Sequence, residues 1–279
     1  MAFPKSILVP IDFLPKSESA IRYACEIAQY TGAEIHFLHV VQEPYQFATR
    51  ADEILPVIKN ERAEKIEQLI NDLHSIDDFR SIKMTGLIEK GNIQMTIQRV
   101  AEEYKHNMVV IALGGEPDLK KVMYGSITNN ILIESNVPVL AISKKIDYRT
   151  PNHLVFATDL RDGDIKPIKR MKRFAIDIGV DLKILHIVPD KNQVDHEAIN
   201  KFNKKIQGSL KAEDIAVELH EATTFDEGIT RFVKNHKYTI LVMTRYKRKF
   251  FEWLFSNSRV RNIAQIASVP LLMIPHKEK

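Results

Sequence analysis

Apolar runs of strand length alternate with helical patterns along the whole chain. Ser6-Ile7-Leu8-Val9-Pro10-Ile11-Asp12 is an apolar run that ends in an acid. Pro15 and Ser17 introduce a helix from Glu18 to Tyr30, with Ala20, Tyr23, Ala24, Ile27 and Ala28 on one face, and Thr31-Gly32 stops it. Ile35-His36-Phe37-Leu38-His39-Val40-Val41 is the second strand, followed by a long helix from Ala51 to about His74 and a third strand from Ile82 to Ile88. Gly91 leads into a helix near Ile93 to Tyr104, and Met108-Val109-Val110-Ile111 is the fourth strand. A glycine-bearing loop, a helix from Ile127 to Glu134 and a last strand from Val137 to Ile142 complete the series. This β-α-β-α-β-α-β-α-β order predicts an α/β fold: an open-twisted parallel sheet with helices on both faces.

The series then runs a second time. His153-Leu154-Val155-Phe156-Ala157-Thr158-Asp159 matches the first strand, with Asp159 in the place of Asp12. Leu182 to Val188 matches the His39 strand, Thr239 to Met243 matches Met108 to Ala112, and Val269 to Ile274 matches Val137 to Ile142. Asp12 and Asp159 are 147 positions apart, whereas Pro138 and Pro270 are 132 apart, so the second copy is 15 residues shorter, mostly in its middle. The polar, proline-ended segment Lys144 to Pro151 reads as the linker. The chain is a tandem duplication of one α/β unit, with expected domains 1–146 and 147–279.

Composition narrows the class without choosing a function. A length of 279 residues suits two domains, and 44% hydrophobic with 27% charged residues excludes a disordered chain. The apolar runs are too short to span a membrane, and the N-terminus enters a strand at once, without a secretory signal pattern. A single cysteine, Cys25, excludes an internal disulfide and fits a cytoplasmic location; its place on an amphipathic helix predicts a buried small residue rather than a nucleophile. A formal charge of +4 is too small to specify a partner.

The chemistry with most promise lies in Ala112-Leu113-Gly114-Gly115-Glu116-Pro117-Asp118-Leu119-Lys120-Lys121-Val122-Met123-Tyr124-Gly125-Ser126, between a strand and a helix. Backbone N–H groups at a helix start lack internal partners, and the helix dipole favours negative charge there. Gly115 permits positive φ or a close backbone approach, Gly125 removes a side chain where a phosphate would press, and Ser126 offers a hydroxyl. Glu116 and Asp118 would repel a triphosphate unless Mg²⁺ intervenes. A plain strand-to-helix connection with Ser126 as N-cap is the alternative.

The Ile7 to Asp12 opening, the Leu38-His39-Val40-Val41 strand, the Gly115 to Ser126 loop and the Val137-Pro138-Val139-Leu140 strand together resemble a universal stress protein with two tandem domains, over nearly the whole chain. Nucleotide-binding members carry G-x-x-G, nine residues, then G-S or G-T; this chain has Gly115 and Gly125-Ser126 but Ala112 at the first glycine position. The resemblance implies five parallel strands per domain, a Rossmann-like sheet of the adenine nucleotide alpha hydrolase kind, with ATP across the strand ends. It implies that Asp12 and Val41 face adenine and ribose and that the glycine loop wraps the phosphates. The residues it assigns to the nucleotide are Pro10, Asp12, Val41, Ala112, Gly115, Gly125, Ser126 and Ile127. It also implies domain pairing through the last strands, Val137 to Ile142 against Val269 to Ile274, and a homodimer.

In the second copy Thr244, Lys247 and Asn257 hold the three glycine positions, so side chains fill the space a phosphate needs. Its Arg245, Lys247, Arg248 and Lys249 interleave with Tyr246, Phe250, Phe251 and Trp253; a basic segment with aromatics tucked beneath it, at the domain interface, is preferred to a nucleic-acid surface. Neither a P-loop, a G-x-G-x-x-G fingerprint nor a G-x-S-x-G elbow occurs. His36 and His39 point to opposite faces of their strand and cannot share a metal there, and His39 recurs as His186, which argues for a structural role. The charged helix from Ala51 to His74 reads as a solvated face. No residue pair is placed for acid–base catalysis. Two functions stay open: a cytoplasmic stress-response protein that binds ATP or another adenine nucleotide in its first domain, with at most slow hydrolysis, and a nucleotide-free interaction or scaffold protein.

Overall fold

A computed structural model describes residues 3–42, 51–113, 130–132, 134–143, 146, 148–190, 194–211, 215–236, 238–246 and 269–276. The chain divides into two compact units, Met1–Val139 and Leu140–Lys279. It has the expected α/β fold, with parallel sheet and helices on both faces.

The first unit holds β1 (Ser6–Pro10), α1 (Glu18–Thr31), β2 (Glu34–Val41), α2 (Ala51–His74), β3 (Met84–Lys90), α3 (Ile93–Glu103) and β4 (Met108–Leu113); β5 (Val139–Ser143) begins at its last residue. Its strands lie in the order β3-β2-β1-β4. Ile7, Leu8 and Val9 of β1 and Met108, Val109 and Val110 of β4 have no exposed surface. Strands covered on both faces read as unbroken apolar runs, which is why they were plain in the sequence. The edge strand β3 is mostly exposed or half-buried, and its sequence is correspondingly mixed. Gly32 ends α1 at φ 69°, its N–H bonded to the Ala28 carbonyl, a left-handed cap that glycine adopts without strain.

The second unit repeats the plan with β6 (His153–Ala157), α4 (Ile165–Asp177), β7 (Asp181–Val188), α5 (His196–Leu210), β8 (Val217–Glu221), α6 (Phe225–Asn235), β9 (Thr239–Arg245) and β10 (Leu271–Pro275), in the order β10-β9-β6-β7-β8. The duplication reaches single dihedrals. Phe13 at φ 58° is matched by Leu160 at 59°, 147 positions on.

Several boundaries differ from the sequence reading, each for a local reason. β3 starts two residues after Ile82, because the Ile82 N–H bonds back to the Phe79 carbonyl in a turn. β5 and β10 start after their prolines. Pro138 and Pro270 have no N–H for a ladder, but their carbonyls accept from Val109 and Leu241 at 2.9 Å. The Ser17 hydroxyl does not cap α1 as expected; it donates to Asp12 instead.

Gly228 lies inside α6, where alanine would ordinarily be the better helix former by about 1 kcal/mol. A Cβ there would stand 2.7 Å from both Cδ1 and Cγ2 of Ile187 on β7. Overpacking of this kind costs about 1–3 kcal/mol, so Gly228→Ala is expected to destabilise the second unit by about 1 kcal/mol net, measured by chemical denaturation.

Candidate functional site at the carboxyl ends of the strands

In an open parallel sheet, ligands bind outside the carboxyl ends of the strands, where chain order reverses. The first unit brings Pro10, Asp12, Val41 and Ala112 to this end. Pro10 closes β1 opposite Leu38, and the Leu8↔Val109 register sets Ala112 level with the residue after Pro10. Val41 ends β2, is buried, and its carbonyl accepts from the Gly91 N–H at 3.1 Å. Gly115, Gly125, Ser126 and Ile127 lie outside the described residues.

Asp12 shapes the turn into the first helix. Its Oδ1 accepts from the Leu14 N–H at 3.1 Å and from the Ser17 hydroxyl at 2.9 Å. An acid in this position bridges strand end and helix start, so the chain's own geometry already uses one of its oxygens. Next to it Phe13 lies against the His39 ring at 5.0 Å, with the Arg62 guanidinium 5.7 Å from the Phe13 ring centre. Phe13 escaped the sequence reading because nothing marks a phenylalanine for positive φ; its match with Leu160 was the available signal.

The recurrent histidines have the structural role expected of them. The His39 ring donates from Nδ1 to the Ile11 carbonyl at 3.0 Å, and His186 does the same to Thr158 at 2.7 Å. Cys25 is buried in α1, and burial pushes its thiol up to about 12, so it stays protonated.

At the corresponding end of the second unit the Tyr246 side chain is held against Asp164. The Pro138/Pro270 correspondence puts Tyr246 at the position of Gly114, between the first two glycine positions of the motif. The Tyr246 hydroxyl donates to Asp164 at 2.6 Å, and the Thr158 hydroxyl donates to the other oxygen of that carboxylate at 2.6 Å. Arg161 covers the Tyr246 ring at 4.6 Å, and the His276 ring packs against it with a centroid distance of 4.6 Å. Gly163 makes the approach feasible: a Cβ there would stand 2.6 Å from His276 Cε1 and 2.7 Å from the tyrosine oxygen. Asp164 is 1% exposed, and burial raises its pKa against the opposing effect of the Thr158, Tyr246 and Thr244 hydroxyls. Burial, and then the bond to Asp164, hold Tyr246 protonated as the donor. Asp159, the counterpart of Asp12, is exposed and lies 3.7 Å from Arg161.

Two duplicated parallel sheets with helices on both faces define a tandem protein of the Rossmann-like, nucleotide-binding fold. The profile of the Universal stress protein family matches residues 4–143, and the chain belongs to that family. A universal stress protein of Methanocaldococcus jannaschii is 24% identical over 156 residues, covering 50% of this chain and 96% of its own. The crystal structure of a universal stress protein from Archaeoglobus fulgidus superposes with a TM-score of 0.74 at 20% identity, covering 99% of this chain and 100% of that one. A structure described as a putative universal stress protein from Pseudomonas aeruginosa gives 0.65 at 14% identity, over 97% and 93% of the two chains. Among the described residues no helix is long and apolar enough to cross a membrane.

Proposed function

We propose that this universal stress protein binds one adenine nucleotide, ATP with Mg²⁺, in its first domain (1–146), and that its second domain (147–279) is closed to nucleotide. The observation that carries the reading is the contrast between the two strand ends. In the first unit Pro10, Asp12, Val41 and Ala112 lie at the carboxyl ends of neighbouring strands, and the sequence runs on from Ala112 into the Gly115 to Ser126 stretch. In the second unit the Tyr246 side chain stands at the equivalent point, bonded to Asp164. The reading extends to a cytoplasmic homodimer: the buried Cys25 supports a reducing compartment, and the family resemblance supports pairing. Light scattering on the purified protein tests the pairing.

Native mass spectrometry of the full chain with Mg-ATP tests the proposal. One ATP adduct per chain is expected, absent from Gly125→Val and retained in Asn257→Val. No adduct at high micromolar ATP overturns nucleotide binding and leaves the scaffold reading. Two adducts overturn the closure of the second domain.

A further inference from the structure

The two tandem copies differ in the charge of one helix layer. Right-handed crossovers put the first two helices of each unit on one face of its sheet. In the first unit these are α1 and α2, which carry four Lys or Arg against eight Asp or Glu, a formal −4. In the second they are α4 and α5, which pack side by side and carry eight against two, a formal +6. The whole chain is +4, so everything outside α4 and α5 sums to −2. Asp162 and the cap Asp195, at the amino ends of these helices, lower the layer only to +4.

This charge points outward. Ile168, Met171 and Phe174 bury the inner side of α4, and Ile199, Phe202 and Ile206 bury that of α5. Lys166, Lys169, Arg170 and Arg173 are exposed on α4, and Lys201, Lys204 and Lys205 on α5. Arg173 pairs with Asp177 at 3.1 Å and Lys205 with Asp162 at 2.6 Å, which still leaves more cations than acids on the layer. Ile176, 60% exposed, follows Arg173 by three residues and Lys172 by four, a spacing that sets it among them on the same side of the helix.

We propose that this layer adsorbs to an anionic phospholipid surface, with α4 and α5 lying flat on the headgroups. Clusters of about four to eight Lys or Arg on an amphipathic helical face bind acidic lipid headgroups. A protein partner fits poorly, because protein interfaces are depleted in lysine, which supplies six of the eight cations here. Duplex DNA fits less well than a membrane. Two packed helices, each roughly 10 Å across, are too wide for a major groove of about 12 Å, and lysine lacks the fork with which arginine reads bases and grips phosphates. Phe174 and Phe202 are buried, so the layer offers no phenylalanine ring to stack on a single-stranded base. A flat array of point charges matches a plane of headgroups, and Ile176 gives it an apolar side chain to enter the interface. The inference is independent of ATP binding in the first unit.

Sedimentation of the full chain with sucrose-loaded vesicles tests it. The protein is expected to pellet with phosphatidylcholine vesicles containing about one-third phosphatidylserine at about 0.1 M salt, and to be released at about 1 M, where the screening length falls from about 10 Å to about 3 Å. Vesicles of phosphatidylcholine alone should leave it in solution. Lys169→Gln/Lys201→Gln is expected to weaken the partition about tenfold or more, with an unchanged melting curve because both lysines are exposed and glutamine is an equal helix former. Lys59→Gln/Lys105→Gln, the same loss of charge from exposed positions of the first unit, should weaken it by less than about twofold. Gly125→Val should bind the vesicles as the natural chain does, which separates this face from the nucleotide site. Equal binding to neutral vesicles, retention at high salt, or equal losses in the two double variants overturns the proposal. Tighter binding to duplex DNA than to the anionic vesicles at the same salt overturns it in favour of nucleic acid.

Discussion

Lowering the pH from 6.5 to about 4 is expected to destabilise the first unit by about 3 kcal/mol through His106 alone. His106 is 2% exposed, behind the amino ends of β1 and β2. Its Nδ1 is 2.7 Å from the Ser6 hydroxyl, and its Nε2 has no hydrogen-bond partner among the described residues. The His36 ring stands edge-on at 4.7 Å, and Tyr104 stacks at 6.0 Å. Burial, reinforced by His36 and weakly opposed by Glu34, pushes the pKa of His106 down to about 4. His36 is itself lowered, chiefly by burial, although Glu34 lies 3.6 Å from its Nε2 and is itself bonded to Lys83. The unfolded chain takes up the proton first, near the ordinary value of 6.5. Stability from the neutral ring is therefore complete above that pH and is lost progressively as pH falls through the interval to about 4. Urea unfolding at steps across this range, with hydrogen exchange of β1 and β4 amides to identify the unit, measures the loss. His106→Gln is expected to be less stable at neutral pH and to show a shallower pH dependence; an unchanged slope in that variant removes His106 as the cause.

The residues that make this device were visible in the sequence, but their meeting was not. Ser6 and His106 are 100 positions apart, and no local period connects them. The same limit applies across the molecule. Central strands such as Ile7 to Val9 were legible because burial on both faces demands an unbroken apolar run. The duplication was legible because equivalent positions keep their spacing, and the His39/His186 pair could be assigned a structural role on that ground alone. Strand starts after Pro138 and Pro270 were placed early, since apolar composition does not register a missing N–H. At the candidate site, Asp12 was read for ligand contact, and its bonds to Leu14 and Ser17 show a turn-forming role that residue type could not reveal. The missing glycines of the second unit's loop predict side chains there, but the bond from Tyr246 to Asp164, 82 positions away, belongs to tertiary structure.

Tyr246→Phe is expected to destabilise the second unit by about 2 kcal/mol at neutral pH, the range for removing a donor from a buried charged acceptor. The ring should keep its place between Arg161 and His276, so the loss isolates the hydroxyl. A pH dependence distinguishes this from simple loss of packing. Asp164 has its pKa raised in the fold, so the folded unit holds the proton more readily than the unfolded chain. Its effect on stability is therefore most favourable at low pH and declines as pH rises through the carboxylate range. Removing the tyrosine donor disfavours the ionised carboxylate further, because only the Thr158 hydroxyl then bonds to it from this pair. The penalty of Tyr246→Phe should accordingly shrink on acidification, while a packing defect would persist at every pH. Acid thus acts on the two units with opposite sign through these two groups, weakening the first at His106 and easing the second at Asp164. Because phenylalanine still occupies the position of Gly114, the variant is expected to gain no second ATP adduct; a second adduct would show that the hydroxyl bond, rather than the ring, keeps nucleotide out.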